Sequence, residues 1–520
     1  MKKNIIIVGA GLAGLSAALQ AVKEDFSVKL ISSVPSERAQ SVMAEGGINA
    51  ALNTKGEDDS TQEHYEDTIK AGCNLADPNA VWNMTQAAPE LVKWLHSIGV
   101  QFNTCGYDEL DLRNFGGQKK KRTAFAKSDT GKQIMTAMID AVRCYEVQGQ
   151  VERFEHHSFQ TLLMKDNTCL GCVIQDNYTG EIKQLPADAV IMASGGMHGL
   201  FGNTTGSFIN TGEVSARLFC LGVPMANLEM IQYHPTTVEI GGKKMLISEA
   251  ARGEGGRLFT YRDEKRWNFM EEKYPELGNL MPRDITAREI WKISKDSPVY
   301  LDMTEIPKDV IDRKLTGLVS DCQTYLHKDI RKVPIQVMPG IHYFMGGIYV
   351  DAKHRTPVRK LYAAGECCAQ YHGANRLGGN SLLGAVYGGR VAAQAACEDA
   401  MTEFAKPSTE VAGFKDLENE NSQFEKAKIN EFVSDALGVI RNQKIMEEGL
   451  EKLQQIKGSL SLLGQAAIMS GIERTESRGA HYREDYPEKN DDFEKTTVAS
   501  YDGHSIQIHF EKIPERQQEK

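Results

Sequence analysis

Apolar positions recur along the chain in two spacings. Short, largely apolar runs at Asn4-Ile5-Ile6-Ile7-Val8, Ser27-Val28-Lys29-Leu30-Ile31, Ala189-Val190-Ile191-Met192 and Leu361-Tyr362-Ala363 read as strands of a buried parallel sheet. Helical spacing covers residues 15–21, 61–72, 78–98, 131–142 and 283–293, a stretch ending near 399, and 414–472. Within one of these, Trp94, Leu95 and Ile98 recur on a single face. Strand-rich sequence fills 143–186. From about Asn227 the texture changes to polar motifs between short strands, the pattern of a smaller α+β unit. This predicts an α/β protein in which residues 1–226 and 342–405 form one parallel-sheet domain. Residues 227–341 are inserted into it, 406–413 form a linker, and 414–520 form a helical domain with a polar, charged tail. The chain has no internal repeat.

The first strand runs straight into Gly9-Ala10-Gly11-Leu12-Ala13-Gly14 and then a helix. Gly9 permits the tight turn, Gly11 lets the backbone approach a pyrophosphate, and Gly14 lets helix and strand pack closely. The helix N-terminus offers unpaired N–H groups and a favourable dipole to phosphates. The second strand ends in Ser32-Ser33, where an acid usually binds the adenosine ribose; Ser32 can accept the same bond. This fingerprint alone leaves NAD and FAD equally open. Gly46-Gly47 reads either as a close approach to a flat ligand or as a turn. Glu366 follows the strand at 361–363, placed for a ribityl or ribose hydroxyl. The run Asn375-Arg376-Leu377-Gly378-Gly379-Asn380-Ser381-Leu382-Leu383 opens a helix toward the same ligand.

Composition narrows the classes. Apolar residues are 41%, charged residues 25%, and the net charge of −10 argues against nucleic-acid binding. No apolar run reaches the ~18 residues of a membrane span, and the basic Lys2-Lys3 precedes a strand, so no signal peptide is read. Ten scattered cysteines fit a reducing compartment. Cys169-Leu170-Gly171-Cys172 could be a redox or zinc pair, but two core-facing thiols in a hairpin is the stronger reading. No metal site and no iron–sulfur ligand set is read in the chain. The basic run Lys119-Lys120-Lys121-Arg122 reads as a solvated surface, or as an attractor for an anionic substrate beside Phe115-Gly116-Gly117.

The ordered runs VGAGLAGLSAA, AEGGINAAL, FGGQ, TGE, QYHPT, SEAARGEGG, PRDITAR, HYFMGGI, AAGE and HGANRLGGNSLLG resemble the flavoprotein subunit of the succinate dehydrogenase/fumarate reductase family, a relative of L-aspartate oxidase. The resemblance covers about residues 3–400 and 477–485. It implies a Rossmann-like FAD-binding domain, an inserted α+β capping domain and a C-terminal helical domain. It implies that Gly9, Ala10, Gly11, Leu12, Ala13, Gly14, Ser32, Glu45, Gly46, Gly47, Glu213, Glu366, Ser381 and Leu382 contact FAD. His234, Ser248, His342 and Arg376 are implied to hold the carboxylates of a C4 dicarboxylate. Arg283 is implied to exchange the substrate proton, relayed through Glu249 and Arg252.

The residue types suit that chemistry. A bidentate arginine clamps one carboxylate. Flavin N5 exchanges hydride with one carbon of the double bond, and the other carbon exchanges a proton. Three departures carry consequences. Gln40 stands where membrane-bound members link FAD to a histidine, so FAD is expected to be non-covalent, which favours fumarate reduction. Glu213 replaces an expected aspartate. No haem motif or second flavin module is present, so electrons are expected from an iron–sulfur subunit or a soluble reduced carrier. A cytoplasmic location follows, or one peripheral to the inner face of the cell membrane through partner subunits. L-aspartate oxidase, another enoate reductase and a non-catalytic flavin-binding subunit are the competing readings.

Overall fold

The computed structural model describes residues 2–106, 109–402 and 421–517; the linker expected at 406–413 lies outside the described residues. Five parallel strands form the central sheet, in the order Leu361–Ala363, Ala189–Met192, Asn4–Val8, Ser27–Ser32 and Val151–Glu155. Asn4–Val8 has Ser27–Ser32 on one side and Ala189–Met192, 180 residues later, on the other. The chain therefore changes direction beside the first strand. Such a switch point opens a crevice at the carboxyl ends of the strands. Helix Leu12–Lys23 closes against the sheet because position 14 has no side chain; a Cβ there would lie 1.8 Å from the Gly9 carbonyl oxygen. Helix Asn380–Thr402 packs on Leu12–Lys23, and small residues dominate their contact.

Residues 231–344 form a second, antiparallel sheet in the order Lys243–Leu246, Ile231–Ile240, Ile335–Phe344, Val299–Asp302, Arg257–Arg262 and Lys265–Trp267. The strand Ile335–Phe344 crosses the expected junction at 341/342, so His342 belongs to this sheet. Pro235 lies where the ladder register shifts between His234 and Thr237, a position where its missing N–H breaks no pairing. Helix Arg283–Ser294 packs across the strand Ile231–Ile240.

Three C-terminal helices follow: Gln423–Ala436, Gln443–Gln454 and Ser459–Glu473. Ser422 and Glu425 form a capping box at the first. Two expectations are corrected here. The tail is not merely polar surface: Lys495–Tyr501 and Ile506–Lys512 form a hairpin that joins Met225–Ala226, Gly347–Tyr349 and Cys368–Ala369 in a third sheet. Its one-sided alternation, diluted by charge, gave no clear strand signal. The basic run is not uniformly solvated either. Arg122 is fully buried and pairs with Asp59 and Asp67 at 2.9 Å each, while Lys120 and Lys121 pair with Glu63 and Glu57. Cys169 and Cys172 are buried in the core, where burial pushes the Cys169 thiol up to about 12.

The charged segment 474–483 is itself largely interior. Arg474 pairs with Glu229 at 2.7 Å and Glu476 at 2.9 Å, Arg478 pairs with Glu476 at 2.7 Å, and all four are buried. Removing one cation from such a network leaves a buried carboxylate uncompensated, which costs about 3–5 kcal/mol. Arg474→Met should therefore lower the urea midpoint. It should also speed amide exchange in the 495–512 hairpin, which its guanidinium ties to Glu229 through Thr497.

Candidate active site

A cavity of about 1030 Å³ opens at the carboxyl ends of the central strands and extends under the second sheet. Its nucleotide-facing wall contains Gly9, Ala10, Gly11, Leu12, Ala13, Ser32, Gln40, Glu45, Gly46 and Gly47, and further on Glu213, Glu366, Ser381 and Leu382. Its far end contains His234, Ser248, Glu249, Arg283, His342 and Arg376. Two expected site residues do not reach it. Gly14 is packed against Gly9, consistent with its role in helix–strand contact. Arg252 sits behind Glu249. Glu213 reaches the wall, with its carboxylate paired to Lys426 at 2.6 Å.

The far end is built from five separate stretches of chain, two of them the strand Ile335–Phe344 with His342 and the turn before helix Asn380–Thr402 with Arg376. The strand Ile231–Ile240 carries His234, the turn before residue 250 carries Ser248 and Glu249, and the first turn of helix Arg283–Ser294 carries Arg283. Arg283 donates from Nε and Nη2 to Glu249 Oε2 at 2.9 and 2.6 Å. Arg252 Nη2 donates to the other oxygen, Oε1, at 3.2 Å. The Gly116 amide donates to that oxygen as well, at 3.1 Å. Burial would raise the Glu249 carboxyl, but Arg283 and Arg252 hold it down at about 2. It is a carboxylate between two guanidiniums.

Arg376 is buried over the face of Tyr343, 4.3 Å from the ring centroid. Among the described residues no carboxylate lies within ion-pair distance of it, and its Nε has no hydrogen-bond partner. Burial, then Arg283, pulls its guanidinium down to about 9. His234 and His342 meet edge to face, ring centroids 5.1 Å apart. Burial, with Arg283 close by, keeps both well below the ordinary histidine range. A buried wall with surplus positive charge and unfilled donors is complementary to an anion.

The wall also fits a bound dinucleotide. Ser32 Oγ, Ser194 Oγ, Asn210 Nδ2 and Glu45 Oε2 are buried, have no partner and belong to lining residues. Ser32 is the residue expected to meet the adenosine ribose. The Gln40 amide oxygen accepts from the Ser207 N–H, and Glu366 Oε1 accepts from the Phe344 N–H at 3.2 Å.

Sequence reasoning missed Gln232. Its Oε1 accepts from Arg283 Nη1 at 3.0 Å, and its Nε2 donates to Asn375 Oδ1 at 2.9 Å and the Arg376 carbonyl at 2.8 Å. The strand period of two, counted back from His234, is the one sequence signal that pointed there. Asn49 was missed too. Its Nδ2 donates to the Gly378 carbonyl at 2.8 Å and Asn380 Oδ1 at 2.7 Å, holding the turn before helix Asn380–Thr402. Nothing in the local sequence marks that contact.

Comparison with known proteins bears on the fold and on the cofactor. A family model described as an FAD binding domain matches residues 4–382, and one described as the fumarate reductase flavoprotein C-terminus matches residues 458–518. The chain is 39% identical to the succinate dehydrogenase flavoprotein subunit of Bacillus subtilis, covering 96% of this chain and 94% of that one. It is 31% identical to the fumarate reductase flavoprotein subunit of Haemophilus influenzae, covering 96% and 92%. A solved structure of E. coli quinol fumarate reductase FrdA superposes with a TM-score of 0.88 at 27% identity, covering 100% of this chain and 98% of that one.

The histidine environment predicts a pH dependence. Both rings are uncharged near neutrality, and a dianion between them raises their pKa values. Binding then takes up protons, and affinity falls as pH rises. Malonate titrated calorimetrically between pH 6 and 8 should show net proton uptake and weaken, by at most about tenfold per pH unit for each proton taken up. Pulling Arg376 down to about 9 extends the loss above pH 8.

Proposed function

The chain belongs to the family of succinate dehydrogenase and fumarate reductase flavoprotein subunits, and from that premise we propose that it interconverts fumarate and succinate with non-covalent FAD, favouring fumarate reduction. The observation that carries this reading is the Arg283 guanidinium, buried against Glu249 and facing the same cavity as Arg376, His234 and His342. The residues suited to FAD are Gly9 to Ala13, Ser32, Glu45 to Gly47, Glu366, Ser381 and Leu382. Gly14 supports their turn from behind. Bound FAD supplies or accepts a hydride at flavin N5.

The chain's own residues do the rest. Arg376 clamps one carboxylate through charge-assisted bonds. His234, Ser248 and His342 bind the other, polarising the double bond between them. As hydride adds to one carbon of fumarate, Arg283 gives a proton to the other, and succinate results. A proton then passes from Arg252 through Glu249 to Arg283, which leaves Glu249 a carboxylate again. In the oxidation of succinate each transfer reverses. Burial excludes water, which keeps these charge interactions strong.

Gln40 carries an amide where a histidine would form the flavin link, and an amide makes no such bond. Electrons come from an iron–sulfur subunit or a soluble reduced carrier. Attachment to a membrane would run through partner subunits, since among the described residues no helix is long and apolar enough to cross one.

Acid precipitation of the purified protein should leave FAD in the supernatant; yellow pellet would overturn the non-covalent assignment. Fumarate should oxidise a reduced viologen dye in its presence. Arg283→Lys should retain FAD and lose about 10²–10⁴-fold in turnover. FAD-loaded protein that ignores fumarate and makes peroxide from L-aspartate would sink the proposal.

A further inference from the structure

Arg113 is a buried cation that the chemistry above leaves unused. It lies on the strand Leu112–Arg113, part of a small sheet with Thr123–Ala124 and Ile48–Asn49. Its side chain is 3% exposed. Nη2 lies against the carbonyl oxygens of Glu45 at 3.0 Å, Gly46, and Lys127 at 3.3 Å. The guanidinium stacks over Phe125 at 4.3 Å and Phe115 at 5.5 Å. Its Nε has no partner.

No carboxylate among the described residues pairs with it. The acids nearest in the sequence and fold are engaged elsewhere: Asp111 with Lys55, and Glu254 with Lys314. The Glu45 carboxyl is pushed up to about 8 by burial and by Asp321, so it is largely protonated at neutral pH and offers little compensation. A full positive charge therefore stands directly behind the Glu45–Gly47 wall of the cavity. That wall is rigid, since a Cβ at Gly47 would lie 2.5 Å from the Ala124 carbonyl oxygen.

We infer that Arg113 is a positioning residue for the flavin, stapling the Glu45–Gly46 turn and raising the reduction potential of bound FAD by a buried charge that no described carboxylate pairs with. The inference rests on the cavity holding FAD. Two-electron reduction with uptake of one proton leaves a negative charge on the ring, and a buried cation close by favours that product. A neutral side chain at 113 gives up that preference while the catalytic groups stay in place.

The test is a dye-equilibrated spectroelectrochemical titration of full-length wild-type, Arg113→Gln and Arg113→Lys proteins, with FAD content measured on each. Arg113→Gln should lower the ratio of reduced to oxidised flavin at fixed potential by tenfold or more, about 30 mV for a two-electron couple. Arg113→Lys should stay within threefold of wild type. An unchanged potential in FAD-loaded Arg113→Gln overturns the inference. If Arg113→Gln does not fold, a tenfold fall in Arg113→Lys overturns it alone. Loss of FAD from both variants, with circular dichroism unchanged, reduces Arg113 to a structural staple. Wild-type protein that binds no FAD would instead refute the cofactor assignment.

Discussion

A surplus of buried positive charge governs the far end of the cavity. Arg283, Arg252 and Arg376 are buried beside two uncharged histidines, and among the described residues Glu249 is the one carboxylate that forms an ion pair with any of the three. Dehydrating a guanidinium is costly unless hydrogen bonds and opposite charge replace the water. Arg283 and Arg252 obtain both from Glu249. Arg376 lies over the face of Tyr343, forms no ion pair among the described residues and is left with an unfilled donor. The site is thus preorganised for an anion, and the protein bears the expense of keeping it so before any anion arrives.

That expense is met by the surrounding polar framework. Gln232 uses both ends of its amide, one on Arg283 and the other on the Asn375–Arg376 segment, so the two arginines are held in one rigid frame. Asn375 closes the ring by donating to Asp284 at 3.0 Å, on the residue that follows Arg283. Gly116 binds Glu249 through its amide, while Gln118 binds the Gly378 carbonyl at 2.8 Å. Five segments of the chain, at 116–118, 232, 249, 283–284 and 375–378, therefore converge through hydrogen bonds.

The rest of the fold keeps those segments in register. The central parallel sheet sets the glycine turns at one end of the cavity. The antiparallel sheet, bulged at His234, sets the basic groups at the other. The buried ion network around Arg474 and Glu476 fastens the C-terminal hairpin to Glu229, just before the strand that carries Gln232 and His234. Charge in the interior thus acts twice: once as a neutralised brace, and once as an unneutralised site.

The short apolar runs, the glycine turn after the first strand and the ordered polar motifs were enough to name the fold class, the family resemblance and a set of candidate residues of which all but Gly14 and Arg252 line the cavity. These are local signals, since side-chain pattern and backbone freedom depend on near neighbours. What the sequence could not decide was pairing. Lys119 to Arg122 look alike as a basic run, yet only Arg122 is buried, because Asp59 and Asp67 reach it from another helix region. Asn49 and Arg113 carry no mark of their contacts for the same reason, and Gln232 none beyond its place two residues before His234. Whether a polar group is a solvated surface, a brace or a charged wall depends on which partners the tertiary structure brings within about 3 Å, a distance at which hydrogen bonding and desolvation outweigh any local preference.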